Sequence, residues 1–175
     1  MGVCSGVNKA MNLLDLFEAI GLPVLYHGTS LVKLVSMFRD DVMHAQIDRL
    51  ASGGTLPTGG PPGVSLTRDL RVAQSHARKD AHGGATGAVL VFDRDKLAHH
   101  FGRKLRPIDV LRIRGYTDNP FTGSEAEERL TGDLPHVTRF VKQVMVDPAS
   151  LDRYEQSLDD PSLQPVFRLI RSKVA

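Results

Sequence analysis

Residues 87–92 (GAVLVF) constrain the fold more than any other part of the sequence. The run is apolar throughout, has no helical period and is rich in residues that favour β-structure. A run of this kind predicts a strand that is buried on both of its faces. The chain therefore has to place this strand inside a sheet.

Helical and extended patterns follow one another along the rest of the chain without a regular rhythm. Apolar residues at helical spacing predict helices over residues 12–20, 31–43, 69–78, 95–101 and 164–174. Thr29 or Ser30 can cap the second of these helices, and Thr67 or Asp69 can cap the third. Runs of β-forming residues predict strands at 24–26, 64–67, 141–146 and, as an edge strand, 111–114.

Residues 125–130 are ambiguous by propensity, since Ala, Glu and Leu also favour helices. No regular strand–helix–strand repeat is present, and no G-x-G-x-x-G follows the first strand. The mixture of helices and strands therefore favours an α+β fold over a Rossmann domain.

Size and composition fit one domain that spans residues 1–175, with an N-terminal helix within 1–22 and a C-terminal helix within 160–175. No apolar stretch reaches the roughly 20 residues that a membrane span needs. There is no charged segment followed by a long apolar one, as in a secretory signal. With Cys4 as the only cysteine, no internal disulfide forms. We expect a cytoplasmic protein without a membrane partner.

The charge is uneven, although the net charge is only +2. Residues 68–106 hold nine Lys and Arg against four Asp. This excess is consistent with a solvated surface, and equally with a groove for a phosphate-bearing ligand such as a dinucleotide, RNA or DNA. Composition does not decide between the two.

Several common kinds of site are excluded by their missing motifs. The loop at 51–63 has five Gly and three Pro but lacks the Gly-Lys-Ser/Thr ending of a phosphate-binding P-loop. The seven histidines occur without H-E-x-x-H or C-x-x-C, which argues against a metal site. A serine hydrolase is disfavoured because G-x-S-x-G is absent.

Three polar clusters fall at or near the ends of predicted strands. They are 27–30 (HGTS), 65–67 (SLT) and 125–128 (EAEE). Taken singly, each has an ordinary structural role: a surface histidine, a helix cap and a solvated acidic face. Their order is more informative. His-Gly-Thr, then Ser-x-Thr, then Glu-x-Glu resembles the ADP-ribosyltransferase superfamily, in particular its small phage and bacterial single-domain members.

The resemblance implies a split β-sandwich with flanking helices, in which NAD lies in the cleft between two sheets. It implies that Glu127 stabilises the oxocarbenium-like state and hydrogen-bonds the ribose 2′-OH. Glu125 lies on the same face of a strand and would approach the acceptor. Glu128 faces the other way on a regular strand, and a bulge or a shift of one residue would exchange it with Glu127.

The same resemblance implies which residues bind NAD. His27 would hydrogen-bond a ribose hydroxyl through its ring, and Gly28 would let the backbone clamp the nicotinamide carboxamide. Ser65 would brace the catalytic carboxylate, and Thr67 would line the same cleft. Thr29 completes the predicted cofactor-binding set. No metal is expected.

The function implied is an NAD-dependent transfer of ADP-ribose to a macromolecular acceptor, protein or nucleic acid, with release of nicotinamide. For a phage-encoded protein the reaction would take place in the host cytoplasm. Two alternatives stay open. One is a binding module that keeps the fold without turnover, as in a phage structural or host-interaction protein. The other is an NAD-dependent RNA 2′-phosphotransferase-like enzyme, which the basic excess supports and the acidic triplet opposes.

Overall fold

The computed structural model describes residues 24–46, 62–79, 87–109 and 126–174. Within these ranges the chain forms eight strands, six helices and two short 3₁₀ helices. This mixture confirms the α+β class. No helix in the same ranges has the length and apolar character needed to cross a bilayer.

Six strands form one sheet in the order β5-β6-β3-β1-β4-β8, and every neighbouring pair is antiparallel. Strands β2 and β7 pair separately as a two-stranded ribbon. The strands are β1 (Val24–Thr29), β2 (Val42–Met43), β3 (Gly63–Thr67), β4 (Ala88–Asp93), β5 (Leu105–Asp109), β6 (Ala126–Thr131), β7 (Leu134–Pro135) and β8 (Val141–Met145).

The large sheet is divided between β1 and β3. These two strands are in register at one pair, Tyr26 opposite Thr67, whereas β1 pairs with β4 over six positions and β3 with β6 over five. The sheet thus consists of two halves, β5-β6-β3 and β1-β4-β8, that meet at a narrow junction. We call this junction the seam. It confirms the split arrangement that the resemblance implied.

Helices flank the sheet on both sides. Those in the described ranges are α1 (Leu31–Asp40), α2 (Leu70–Lys79), α3 (Arg94–Phe101), α4 (Val137–Phe140), α5 (Pro148–Leu158) and α6 (Gln164–Arg171). Ser30 caps α1 by accepting a hydrogen bond from the backbone N–H of Lys33. Asp69 caps α2 by accepting one from the N–H of Arg71 at 2.8 Å.

The hydrophobic core lies on both faces of the sheet. On one face Leu25, Leu90 and Phe92 pack in the main cluster with residues of α1 and α6. On the other face α2 packs against Val89 through Ala73 and Ala77. Strand β4 is buried at every position from Ala88 to Phe92, which confirms the prediction for residues 87–92.

Several predicted boundaries differ from the structure. The helix expected over 31–43 ends at Asp40, because Asp41 is left-handed (φ 50°) and residues 42–43 form β2. Helix α6 ends at Arg171 and follows the 3₁₀ helix Pro161–Leu163, within the segment 160–175. The ambiguous segment 125–130 contributes strand β6. The helices expected within 1–22 and the edge strand at 111–114 lie outside the described residues.

Candidate active site

A histidine of β1 bridges to β3 at the seam. Beyond Tyr26 the register of β1 with β3 stops, and the ring Nδ1 of His27 lies 3.0 Å from the carbonyl oxygen of Ser65. A carbonyl oxygen only accepts, so Nδ1 donates, and in the neutral ring Nε2 is then the acceptor nitrogen. The ring therefore satisfies a carbonyl of β3 where backbone pairing has ended.

One row of residues crosses the seam. Position 127 of β6 is opposite Thr67 of β3, and Thr67 is opposite Tyr26 of β1. Directly opposite residues of antiparallel strands share a face, so these three positions lie on the same side of the sheet. Strand pairing thus brings together two of the predicted clusters. His27 follows Tyr26 in β1 and is opposite Leu90 of β4, so by alternation it lies on the other face of the sheet.

The neighbouring row contains the other predicted site residue of β3. Ser65 is opposite Arg129 of β6, and Arg129 is opposite Arg106 of β5. This row lies on the same face as position 127 because its residues are two positions away along each strand. Ser65 is half-buried and Arg106 is exposed. Basic and acidic positions therefore alternate along this face of β6.

Gly28 is required by the helix above it. A Cβ at this position would lie 1.8 Å from the carbonyl oxygen of Ala73 and 2.8 Å from the backbone nitrogen of Ala77. Helix α2 crosses β1 at a distance that only glycine allows. The sequence suggested glycine for the approach of a ligand, and the structure supplies a packing reason instead. The contact of the Gly28 backbone with NAD stays a prediction.

The two threonines of the predicted set are buried. Thr67 has 8% of its surface exposed, and its Oγ1 accepts a hydrogen bond from the N–H of Asp69 at 3.1 Å. Thr29 is fully buried, and no described group lies within hydrogen-bonding distance of its Oγ1. Their roles toward NAD stay predictions.

Glu128 is held by two arginines on the other face of the sheet. Position 128 is opposite Leu66, and the side chain is 1% exposed. Its Oε1 accepts hydrogen bonds from Arg68 Nε at 2.9 Å and Arg94 Nε at 2.7 Å, and Arg68 Nη2 also contacts it. Buried carboxylates need this kind of pairing. We call these three residues the Glu128 cluster.

The predicted acidic residues thus separate. Glu127 lies in β6 on the face of Thr67, Glu128 lies in the cluster on the opposite face, and Glu125 and the side chain of Glu127 lie outside what the structure describes. Arg68 and Arg94 were not predicted as partners of Glu128. The available signal was that each arginine immediately follows, or nearly follows, the end of a β-run. No group of three or more His, Cys, Asp or Glu that could hold a metal occurs among the described residues.

Comparison with solved structures confirms an ADP-ribosyltransferase-like fold for this six-stranded sheet, which is divided at one seam and flanked by helices. DarT of Thermus sp. 2.9 in complex with ADP-ribosylated ssDNA superposes with a TM-score of 0.50 at 12% identity, over 88% of this chain and 93% of that one.

Two further structures of the same Thermus protein are also similar. Its complex with carba-NAD+ matches at a TM-score of 0.48 and 14% identity, over 87% of this chain and 92% of that one. Its complex with NAD+ matches at 0.48 and 13%, over 79% and 89%. No protein-family model matches the sequence, and no curated protein is significantly similar to it.

Proposed function

We propose that this protein transfers ADP-ribose from NAD to a nucleic acid strand, with Glu127 as the catalytic carboxylate. The observation that carries the proposal is the row across the seam. It places position 127 opposite Thr67, in the row next to Ser65, whose carbonyl oxygen lies 3.0 Å from Nδ1 of His27. By strand alternation His27 itself lies on the other face of β1, opposite Leu90, so it meets this row through the β3 backbone. The fold shared with DarT, whose structure holds ADP-ribosylated ssDNA, supports the transferred group and the class of acceptor.

The reaction exchanges one bond at the ribose C1′ for another. The bond from C1′ to the nicotinamide nitrogen breaks, and its electron pair leaves with nicotinamide. An acceptor atom of the nucleic acid donates a lone pair to C1′ and gives up its proton to a base or to solvent. Between the two events C1′ has oxocarbenium character, and a carboxylate nearby lowers the energy of that charge. Glu127 supplies this carboxylate.

Glu127 is favoured over Glu128 on electrostatic grounds. The Glu128 carboxylate is buried on the opposite face and is neutralised by two guanidinium groups. A carboxylate in that setting has little net negative charge to offer to a cation. Its face does not decide the matter, because His27, opposite Leu90, lies on the same main-core side of the sheet. Glu128 therefore has a structural role in this proposal.

His27 orients the donor. Because its Nδ1 donates to the Ser65 carbonyl, Nε2 of the neutral ring is the nitrogen that can accept a hydrogen bond from a ribose hydroxyl. The bond to Ser65 also fixes the plane of the ring. Ser65 and Thr67 belong to the strand that holds this ring in place, and Glu125 precedes the strand that carries Glu127.

The test is a transfer assay with labelled NAD and single-stranded DNA or RNA. Glu127→Gln keeps the size of the side chain and removes its charge, so we expect transfer and nicotinamide release to fall by about 10²–10³-fold. Glu128→Gln is the matched control one residue away, and we expect it to keep activity within about tenfold. Melting curves of both variants exclude unfolding as the cause.

Each possible outcome bears on the proposal. If Glu128→Gln abolishes transfer and Glu127→Gln does not, the assignment is off by one residue. If the product is sensitive to protease and resistant to nuclease, the acceptor is a protein and the proposed acceptor is wrong. If the wild-type protein binds NAD but releases no nicotinamide, it is a binding module instead of an enzyme.

A further inference from the structure

The basic excess of residues 68–106 is resolved by the structure into paired and unpaired charges. Four of the nine cations form ion pairs: Arg68 and Arg94 with Glu128, Arg71 with Asp69 and Lys96 with Asp93. Arg78 is exposed on α2, and the side chain of Lys79 is not described. The remaining three are Arg103, Lys104 and Arg106, which lie together.

These three residues lie at one edge of the sheet. Arg103 and Lys104 belong to the 3₁₀ helix Gly102–Lys104, which leads directly into β5, and Arg106 is the second residue of β5. All three are exposed, and Arg106 Nε donates to the carbonyl oxygen of Arg103 at 2.9 Å. None of the three forms an ion pair with any described residue. We call them the β5 ridge.

The ridge leads toward the proposed catalytic position. Arg106 is opposite Arg129, which is two residues from Glu127 along β6 and on the same face. One strand spacing and two residues of rise place the Cα atoms of Arg106 and Glu127 about 8 Å apart.

We propose that the β5 ridge binds the phosphates of the acceptor strand next to the nucleotide that reacts. The inference rests on the proposed function for the position of the reacting nucleotide. Exposed arginine and lysine side chains recognise phosphate as charge, without reading the base. The ridge therefore fixes where the strand lies, and it does not select the base that is modified.

Two different roles for the ridge would give different results. Charged residues on an edge strand also prevent pairing with further sheets, and that role needs no nucleic acid. The ridge could equally hold the pyrophosphate of NAD, since the chemistry recognised is the same. Measurements of strand binding and of NAD binding on the same variants separate these two roles from the proposed one.

The test variant replaces Arg103, Lys104 and Arg106 by Gln, and the control replaces three exposed cations elsewhere by Gln. The control residues are Arg139, Lys142 and Arg168, of which Lys142 lies on β8 at the opposite edge of the sheet. Both variants lose three positive charges. The measurement is fluorescence anisotropy of a labelled oligothymidine and a labelled oligoadenosine over a range of salt concentrations.

We expect the ridge variant to bind either strand on the order of tenfold or more weakly at moderate salt. The slope of log K against log salt should be smaller by about 2, at about 0.7 for each lost phosphate contact on a single strand. The control variant should keep the slope of the wild-type protein. Because strand binding is measured without catalysis, this result is independent of whether NAD is consumed.

Four results would overturn the proposal. These are an unchanged slope in the ridge variant, an equal loss in both variants, wild-type protein that binds no strand, and a loss of NAD affinity in the ridge variant while strand binding persists. The last would assign the ridge to the donor. If the wild-type protein releases no nicotinamide, by contrast, only the catalytic assignment is refuted.

Discussion

Replacing Arg68 and Arg94 together by methionine leaves the Glu128 carboxylate without either of its guanidinium partners. In the wild-type structure the Glu128 side chain is 1% exposed, whereas those of Arg68 and Arg94 are 50% and 35% exposed. The three charged groups therefore differ in how far they are exposed to water. The arginines keep part of their hydration with or without Glu128, but the carboxylate depends on them entirely.

The expected cost follows from that asymmetry. Removing the partners of a buried charge costs about 3–5 kcal/mol, because the remaining charge is neither paired nor hydrated. For a domain of this size each kcal/mol lowers the melting temperature by about 2–4 °C. The double variant R68M/R94M should therefore melt about 6–20 °C below the wild-type protein. Either single variant should lose less, since one guanidinium remains.

The informative step is to remove the carboxylate as well. Glu128→Leu places an apolar side chain on the face that carries Leu66 and Leu130, and the two arginines that remain are exposed enough to be hydrated. In the triple variant the whole buried ion cluster is replaced by apolar groups, which is often neutral or stabilising. We expect Glu128→Leu alone to unfold at or above the wild-type denaturant concentration. Added to the double arginine variant, it should restore most of the lost stability.

The assay is chemical unfolding of the wild-type protein, Glu128→Leu, the double variant and the triple variant, which form a thermodynamic cycle. If the triple variant regains the lost free energy of unfolding, the loss came from a buried carboxylate without a partner. The reasoning is refuted if Glu128→Leu is as destabilising as the double arginine variant and the triple variant is no better. The cluster would then stabilise the fold by more than its desolvation costs.

Two further predictions concern the packing of α2 and the turn after α1. Gly28→Ala places a Cβ 1.8 Å from the Ala73 oxygen, so β1 and α2 must move apart by about 1 Å. The variant should lose about 1–3 kcal/mol or more of its free energy of unfolding. A melting temperature equal to that of the wild-type protein would contradict this. At Asp41, partial burial raises the pKa of the carboxyl group. Hydrogen bonds from the backbone N–H and hydroxyl of Thr138 and from His136 lower it by more, so the pKa is below its ordinary value of 3.8. The carboxylate therefore stabilises the fold above its ordinary pKa, and this stabilisation is lost as the pH falls through the lowered pKa. Asp41→Asn should be less stable than the wild-type protein at pH 7 and approach its stability as the pH falls below about 4. A stability difference that does not change with pH would show that the charge of Asp41 is not the cause.

Local signals predicted the elements that local forces determine. Strand β4 is apolar at every buried position, and α1 has both its apolar face and the Ser30 cap in the sequence. Helix α5 was not predicted, although its signals are also local, with Asp147 as the N-cap and Pro148 in the first turn. An N-cap followed by proline is enough to mark where such a helix begins.

Several elements depend on contacts that are distant along the chain. Helix α1 ends at Asp40 because Asp41 turns left-handed and binds Thr138, which is 97 residues away. Strand β5 contains Pro107, which argues against a strand, and it is tolerated because β5 is at the edge of the sheet. Strand β6 is made of residues that favour helices, and its pairing on both sides with β3 and β5 overrides that preference.

The sequence proposed a set of residue types for the site, and their roles toward NAD stay predictions. Strand alternation indicated that positions 127 and 128 lie on opposite faces, as the register shows, but the sequence did not indicate which strands pair. The sequence did not indicate that Gly28 is required by α2 or that two arginines hold Glu128. Both facts depend on how elements cross, which no local pattern records.

The two adjacent glutamate positions, 127 and 128, lie on opposite faces of β6 because strand positions alternate. Arg94 follows β4 in one half of the sheet, whereas Arg68 and Glu128 belong to the other half, so the Glu128 cluster joins the two halves on the face opposite the proposed reaction. The register pair that the structure describes across the seam, Tyr26 with Thr67, lies beside it. Because β1 and β3 share so little backbone pairing, the cluster is a second connection between the two halves of the sheet.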